Sequence, residues 1–291
     1  MNDLRKTEQE ERLDYLVEAF KADSDQYKEL QTPRDASGKR RLLRSLMNIR
    51  MPGEMPDHVL EVQDTYLTER NAEKGVVRPE DIPEIRDRMS IWQGDITTLA
   101  VDAIVNAANS QMLGCFVPMH TCIDNCIHTF AGIQLRAECC RQMNQLRTRY
   151  GRDYEQPTAV PMLTDAYNLP AKKVIHVVGP IVSGRLTPAL EQDLGNCYSN
   201  TLNLCAEHDL KSVAFCCIST GVFHFPPERA AQIAVETVRE WLLAHEGAMD
   251  RVIFNVFTDK DRDIYEHLFK KTESRLRQDT AERHILRADS S

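Results

Sequence analysis

The sequence predicts a layered α/β domain preceded by a helical unit. From Arg88 onward, short β-rich runs alternate with helical stretches, the pattern that folds as helices layered on a sheet. Up to about residue 85 there is little strand signal, only helical periodicity interrupted by loops rich in breaking residues. A length of 291 residues, 42% hydrophobic and 27% charged, supplies at least one full core and room for a smaller second unit.

In the first unit, residues 1–85, helices are expected over 13–27 and 39–48. The Met-Pro-Gly-Glu-Met-Pro segment at 51–56 breaks the pattern, after which Val59, Val62 and Tyr66 recur at helical spacing. A packing cap on the main domain explains this unit better than a separate activity. Pro79 and Pro83 mark the passage into the main domain, residues 86–274. Strands are expected near 89–94, 103–106, 159–163, 173–178, 212–218 and 251–257, with helices over 122–143, 187–208, 227–245 and 261–276. The clearest helix carries Ala230, Ile233, Ala234, Thr237, Val238, Trp241 and Leu242 on one stripe. Residues 275–291 are charged, have little to bury, and are expected to form a flexible tail.

Composition narrows the function. A formal net charge of -8 opposes broad electrostatic binding of nucleic acid but leaves a nucleotide-sized ligand open. The charged first fifteen residues lack the apolar segment of a secretory signal, and no stretch is apolar for long enough to cross a bilayer. Nine cysteines then read as thiols or metal ligands in a reducing, cytoplasmic setting. Packing accounts for Cys126, Cys139, Cys140, Cys197, Cys205, Cys216 and Cys217, since a buried free cysteine behaves as a small hydrophobe.

Three segments at strand ends place small, polar and amide residues where a core would want apolar ones. Together they outline a crevice at the carboxyl ends of the strands. Gln93-Gly94-Asp95-Ile96-Thr97 offers a carboxylate to an exocyclic amine, although Asp95 equally fits the N-cap of a short helical turn. Val105-Asn106-Ala107-Ala108-Asn109-Ser110 presents two amides suited to ribose hydroxyls, and Asn is also ordinary in turns. In Ile218-Ser219-Thr220-Gly221-Val222-Phe223-His224-Phe225-Pro226, main-chain amides precede a helix and form a cradle for a diphosphate.

The order and spacing of Gly94-Asp95-Ile96-Thr97, Val105-Asn106-Ala107-Ala108-Asn109, Ile175-His176-Val177-Val178-Gly179-Pro180 and Ser219-Thr220-Gly221-Val222-Phe223 resemble those of macrodomains over roughly residues 88–270. The resemblance implies a three-layer α/β/α fold with a mixed central sheet, binding ADP-ribose. It assigns the adenine amine to Asp95 with Ile96 beside it, the stacked base to Phe257, the distal ribose to Asn106 and Asn109, and the phosphates to Ser219, Thr220, Gly221, Val222 and Phe223.

A fourth segment, Gly114 to His128, departs from the common hydrolase pattern of successive glycines followed by an Asp and a His. It keeps Asp124 and His128 but replaces the glycines with Cys115-x4-His120-x-Cys122. That departure resembles the zinc-containing macrodomains associated with sirtuin-type ADP-ribosyltransferases. Two thiolates and one imidazole give Zn²⁺ three ligands and leave a fourth tetrahedral position for water or substrate, the arrangement of a catalytic site. A structural zinc would instead recruit Cys126 or His128.

The activity this implies is release of ADP-ribose from mono-ADP-ribosylated proteins, a lipoyl-carrier-type protein modified by a sirtuin-type transferase among them. Asp124 is the candidate to steer or deprotonate water, and His128 either orients the loop or moves a proton; Asn109 belongs with them at the distal ribose. Two alternatives stand beside this: a reader that binds ADP-ribose around a structural zinc, and a deacetylase of O-acetyl-ADP-ribose. Thr164-Asp165-Ala166 and His224 replace glycines common in relatives and are expected to reshape the crevice walls.

Overall fold

The computed structural model describes residues 2–271, with side chains from Thr7 onward. The expected tail at 275–291 lies outside the described residues. Three helices come first: α1 (Asn2–Ala22), α2 (Ala36–Ile49) and α3 (Asp57–Glu73). Leu13, Leu16, Val17 and Phe20 recur at the spacing of one helix face and meet Leu43, Leu46 and Met47 of α2 and Val59, Tyr66 and Leu67 of α3 in a core of their own. Asp35 starts α2 by accepting the Gly38 N–H at 2.8 Å, which satisfies one of the otherwise unpaired amides of its first turn. α1 begins eleven residues before the expected start because its first turns are charged and show no apolar stripe.

Six strands follow: β1 (Met89–Gln93), β2 (Ala103–Ala108), β3 (Met162–Asp165), β4 (Lys173–Val178), β5 (Ser212–Phe215) and β6 (Arg251–Val256). They form one sheet in the order β1-β6-β5-β2-β4-β3, parallel except for the edge strand β3. β2, β4 and β6 are almost wholly buried, as expected of strands covered on both faces. The helices are α4 (Ile123–Ala131), α5 (Ile133–Tyr150), α6 (Pro188–Glu207), α7 (Pro227–Ala244) and α8, residues 259–271.

Register decides which helices share a face. Asn106 and His176 are paired neighbours on β2 and β4, and both meet α4 and α5 through Asp124 and Cys139. Ala214 pairs with Ile104, so the next residue, Phe215, points to the opposite face, where it meets Tyr198 of α6. Phe254, paired with Phe215, meets Tyr265 and Phe269 of α8, and α7 packs on α6. The result is a three-layer α/β/α fold with a mixed six-stranded sheet and a helical unit ahead of it. Among the described residues, no helix is long and apolar enough to cross a membrane.

Two further differences from expectation have a structural reason. The helix expected over 122–143 is two helices, because Gly132 has φ 101°. A Cβ there would lie 2.9 Å from the Gln63 and Gln134 side chains, so the break admits α3 against the α4–α5 corner. Thr164 and Asp165 belong to β3 and not to a loop, since β3 starts at Met162, after Ala159 turns the chain at φ 63°.

The helical unit docks through polar side chains. Gln63 accepts the Ile133 N–H at 3.1 Å and bonds Gln134 at 2.7 Å; Asn71 donates to the carbonyls of Phe130 and Asn168 at 3.1 and 2.7 Å. Arg136 of α5 reaches back to the C-terminal end of α2, donating to the carbonyls of Met47, Asn48 and Arg50 at 3.2, 2.9 and 2.7 Å. The same guanidinium donates to Leu113 and Cys115 carbonyls at 2.7 and 3.4 Å. It is 5% exposed, and burial pulls it down to about 10, so it stays charged at neutral pH. Arg136→Met is expected to lower the unfolding free energy by about 3 kcal/mol or more in urea melts, since each buried carbonyl left without a donor costs roughly 1–3 kcal/mol. Lys28→Ala, which breaks only the exposed Lys28–Asp25 pair, is expected to leave the midpoint unchanged.

Candidate active site

The carboxyl ends of β1, β2, β4, β5 and β6 open on one edge of the sheet, and the loops leaving them line a crevice. After β1, Asp95 caps the turn Ile96–Thr98, accepting the Thr97 N–H and hydroxyl at 2.9 and 2.6 Å. Its second oxygen pairs with Lys74, at the end of α3, at 2.7 Å. Burial raises this carboxyl, but the bonds from Lys74 and Thr97 outweigh it and hold Asp95 below the usual carboxylate range. Both the capping and the ligand readings of Asp95 therefore remain compatible with its position. The Ile96 side chain is buried in the core, so only its main chain faces the loop. Phe257, directly after β6, is 76% exposed, while its carbonyl accepts a bond from Gln93 at 3.2 Å. It is an open aromatic face on a fixed backbone.

Between β5 and α7 the chain folds back on itself. The Phe225 and His224 N–H groups donate to the carbonyls of Ser219 and Gly221 at 3.0 and 3.1 Å, and the Val182 N–H donates to Phe223 at 2.9 Å. Ser219 is held at φ 64° against Gly179, where an added Cβ would lie 2.1 Å from its Oγ, so only glycine fits after β4. Among the described residues the N–H groups of Gly221, Val222 and Phe223 meet no acceptor. Val222 is 70% exposed, Thr220 bonds the Cys217 carbonyl at 3.0 Å, and α7 begins four residues beyond Phe223. Such a run of amides before a helix suits an anion.

Deeper in the crevice, α4 meets β2 and β4 in a buried polar network. The Asn106 amide nitrogen donates to Asp124 Oδ1 at 2.8 Å and to His176 Nδ1 at 3.0 Å. Because Nδ1 accepts, the ring proton sits on Nε2, which donates to Thr164 Oγ1 at 3.0 Å. Burial pushes His176 down to about 3, so the ring is neutral and its tautomer is set by these neighbours. Burial pushes Asp124 up to about 6, against the opposing pull of Asn106 and Arg136. Asn106 Oδ1 is buried with no partner among the described residues. His128 lies one turn along α4, its Nε2 3.5 Å from Asp124 Oδ1, and neither ring nitrogen has a hydrogen-bond partner among the described residues. Burial, then His176 and Arg136, hold its pKa well below the usual imidazole range. Asn109 lies outside this network: it donates to the Gly114 carbonyl at 3.2 Å and accepts the Gln111 N–H at 3.0 Å, shaping the loop after β2.

Cys115, His120 and Cys122 come together just before α4, their ligand atoms all within 4.8 Å of one another. The Cys115 sulfur is 3.4 Å from His120 Nδ1. Zinc bonds of about 2.3 Å to sulfur and about 2.0 Å to nitrogen give tetrahedral edges of roughly 3.5 Å, so this edge already has the spacing a tetrahedral ion requires. Cys122 caps α4, its sulfur accepting the Asn125 N–H at 3.4 Å. Burial, with Cys115 alongside, pushes the Cys122 thiol up to about 12, and a bound cation is what would let both sulfurs ionise. The donor set and spacing fit zinc. Of the two fourth ligands considered above, Cys126 lies 3.7 Å from Arg44 and 3.9 Å from the Thr121 carbonyl, and His128 sits with Asp124. Neither belongs to the three-residue cluster.

A second cluster, His128, Cys139 and His176, also brings ligand atoms within 4.8 Å. His176 uses both ring nitrogens in the bonds to Asn106 and Thr164, so it has no lone pair left for an ion. Several features of the site escaped the sequence reading: His176 as a positioned ring with Thr164 as its partner, Arg136, Lys74, and Arg44 and Asn48 behind the loop. His176 stood within a quoted motif, and a histidine in an otherwise apolar strand was the available signal. Arg44, Asn48 and Arg136 lie on helices, and Lys74 directly after one, where polar residues look like ordinary solvated surface.

The Macro domain family matches this chain over residues 105–234. A protein-ADP-ribose hydrolase of Treponema medium is 47% identical over 264 residues, 89% of this chain and 98% of that protein. Another, from Staphylococcus aureus strain MSSA476, is 42% identical over 262 residues, 89% of this chain and 96% of that one. The Trypanosoma brucei macrodomain, solved in complex with ADP-ribose, superposes with a TM-score of 0.59 at 28% identity, covering 77% of this chain and 94% of that structure. The sheet order, the strand-end crevice and these matches lead to one conclusion: the chain belongs to the macro domain family.

Proposed function

We propose that this protein is a zinc-assisted hydrolase that releases ADP-ribose from mono-ADP-ribosylated proteins. The observation that carries the reading is the first turn of α4, which joins Cys122 of the metal triad to Asp124, a buried carboxylate held by Asn106. Relatives that align over nearly their whole length bear the name protein-ADP-ribose hydrolase. In this reading residues 1–85 form a helical extension and 86–274 the macrodomain, working in the cytoplasm with none of the nine cysteines in a disulfide.

The product, ADP-ribose, is bound along the crevice. Phe257 stacks on the base, Asp95 with the Ile96 main chain takes the adenine amine, and the amides of Ser219, Thr220, Gly221, Val222 and Phe223 surround the diphosphate. The partnerless Oδ1 of Asn106 accepts from a distal-ribose hydroxyl, and Asn109 shapes the loop beside it. Asp124 takes a proton from the attacking water as its oxygen bonds to the anomeric carbon, and returns one to the departing side-chain oxygen. Asn106 and the neutral His176 keep the carboxylate aimed, while His128 packs beside it and excludes water. When bound by Cys115, His120 and Cys122, zinc supplies Lewis-acid polarisation at the ribose end. The modified protein of this reading is a lipoyl-carrier-type protein bearing ADP-ribose from a sirtuin-type transferase.

Three outcomes are expected. Asp124→Asn lowers the rate of ADP-ribose release from a defined modified protein by roughly 100-fold or more, the scale of a lost acid–base group. His120→Ala, or removal of metal with a chelator, abolishes release while calorimetry still detects ADP-ribose binding; full turnover by verified metal-free protein would sink the zinc reading, and binding without release by the intact holoprotein would favour a reader. Phe257→Ala weakens ADP-ribose binding by about 5- to 100-fold, the range of one lost stacking contact.

A further inference from the structure

We propose that Arg44 and Asn48 of α2 are positioning residues for the metal triad, gripping the main chain on both sides of His120 so that its ring stays facing Cys115 and Cys122. The inference rests on the zinc reading above and gives the helical unit a part in it.

The two side chains lie four residues apart on α2, on the face turned to α4, while Leu43, Leu46 and Met47 pack into the core of the helical unit. Asn48 Oδ1 accepts the Met119 N–H at 3.0 Å, and its amide nitrogen donates to Thr129 Oγ1 at 2.9 Å. Arg44 donates through one nitrogen to the His120 carbonyl at 2.8 Å and to Asn125 Oδ1 at 3.0 Å. Asn125 in turn donates to the carbonyls of Cys115 and Val117 at 3.3 and 2.9 Å. The N–H of Met119, the residue before His120, and the carbonyl of His120 itself are thus both held by α2, and Arg44 also braces the residue that holds Cys115.

Backbone strain shows why such a grip is needed. Met119, immediately before the ligand, has φ 59°, a left-handed conformation that a residue with a Cβ keeps only when its surroundings enforce it. Asn48, itself 1% exposed, is the group that receives the N–H of that residue. Freed from α2, the Met119–His120 segment relaxes toward ordinary dihedrals and carries the imidazole away from the sulfurs. A triad that must be reorganised before it binds holds metal less tightly, as when outer partners of metal ligands are removed.

The test measures zinc affinity of the full chain by competition with a chromophoric chelator, together with the absorption of the Co²⁺-substituted protein. Arg44→Met keeps the stem but loses the donors, Arg44→Lys keeps one donor group, and Asn48→Ala removes the acceptor for Met119. Zinc affinity is expected to fall about 10- to 100-fold for Arg44→Met and Asn48→Ala, and less for Arg44→Lys, with the Co²⁺ bands changed in position or intensity. Gln134→Ala, which breaks a docking bond to Gln63 away from the loop, is expected to bind zinc as the unmodified chain does. Arg44 is only partly buried, so its variants keep the question open to test even if Asn48→Ala fails to fold. Unchanged affinity and spectrum in folded Arg44→Met, beside a normally zinc-binding parent, overturn the inference and leave the zinc reading standing. A parent chain that takes up no zinc overturns both.

Discussion

One buried guanidinium ties the architecture together. Arg136 projects from α5 into the gap between the sheet domain and the helical unit, where three carbonyls at the end of α2 and two from the loop after β2 converge on it. Helix C-termini leave such carbonyls without intrahelical partners, and the partial negative charge there favours a cation. With its five N–H donors in a planar fork, arginine is the side chain able to satisfy several of them at once. Removing it would strand polar groups on both sides of the interface, since the loop after β2 and the end of α2 share this one donor.

The site depends on this because its loop has little else to rest on. The segment from Leu113 to Cys122 has no regular structure, and its main chain is held by side chains from elsewhere: Arg136, Asn125, Arg44 and Asn48. Cys122 then hands the chain to α4, whose first turn carries Asp124 inward to Asn106. Burial makes this network stiff as well as costly. Burial keeps His176 neutral, and its bonds to Asn106 and Thr164 select one tautomer, which matches the Asn106 amide nitrogen directed at Asp124. On the opposite side of the crevice, Lys74 carries the end of α3 to Asp95 and also covers the Phe130 ring at 3.5 Å. The helical unit therefore touches the site at both ends.

Much of the fold was legible because burial leaves a periodic trace. The stripe through Ala230, Ile233, Ala234, Val238, Trp241 and Leu242, the near-continuous apolar runs of β4 and β6, and the turn residues between elements could be read directly. The Cys115, His120 and Cys122 cluster was legible for another reason: thiols and imidazole are chemically distinctive, and close spacing in one loop limits how far apart they can fold. What escaped was the break at Gly132, which answers to Gln63, 69 residues earlier, and the two edge positions Thr164 and Asp165, which belong to a strand only because β4 lies beside them.

By itself the sequence determined the α/β class, the helical unit ahead of it, the strand-end segments and the ligand chemistry of the loop, because each is a local matter of periodicity, turn propensity or side-chain type. Only the tertiary structure decided which of those residues meet. Asn106, Asp124, His176 and Thr164 come from four separate elements, and Arg44 reaches the carbonyl of His120 across 76 residues of chain. Nothing in local sequence marks such partners, since an arginine on a helix surface and one bracing a distant loop look alike until the packing of the two units brings donor and acceptor within bonding distance.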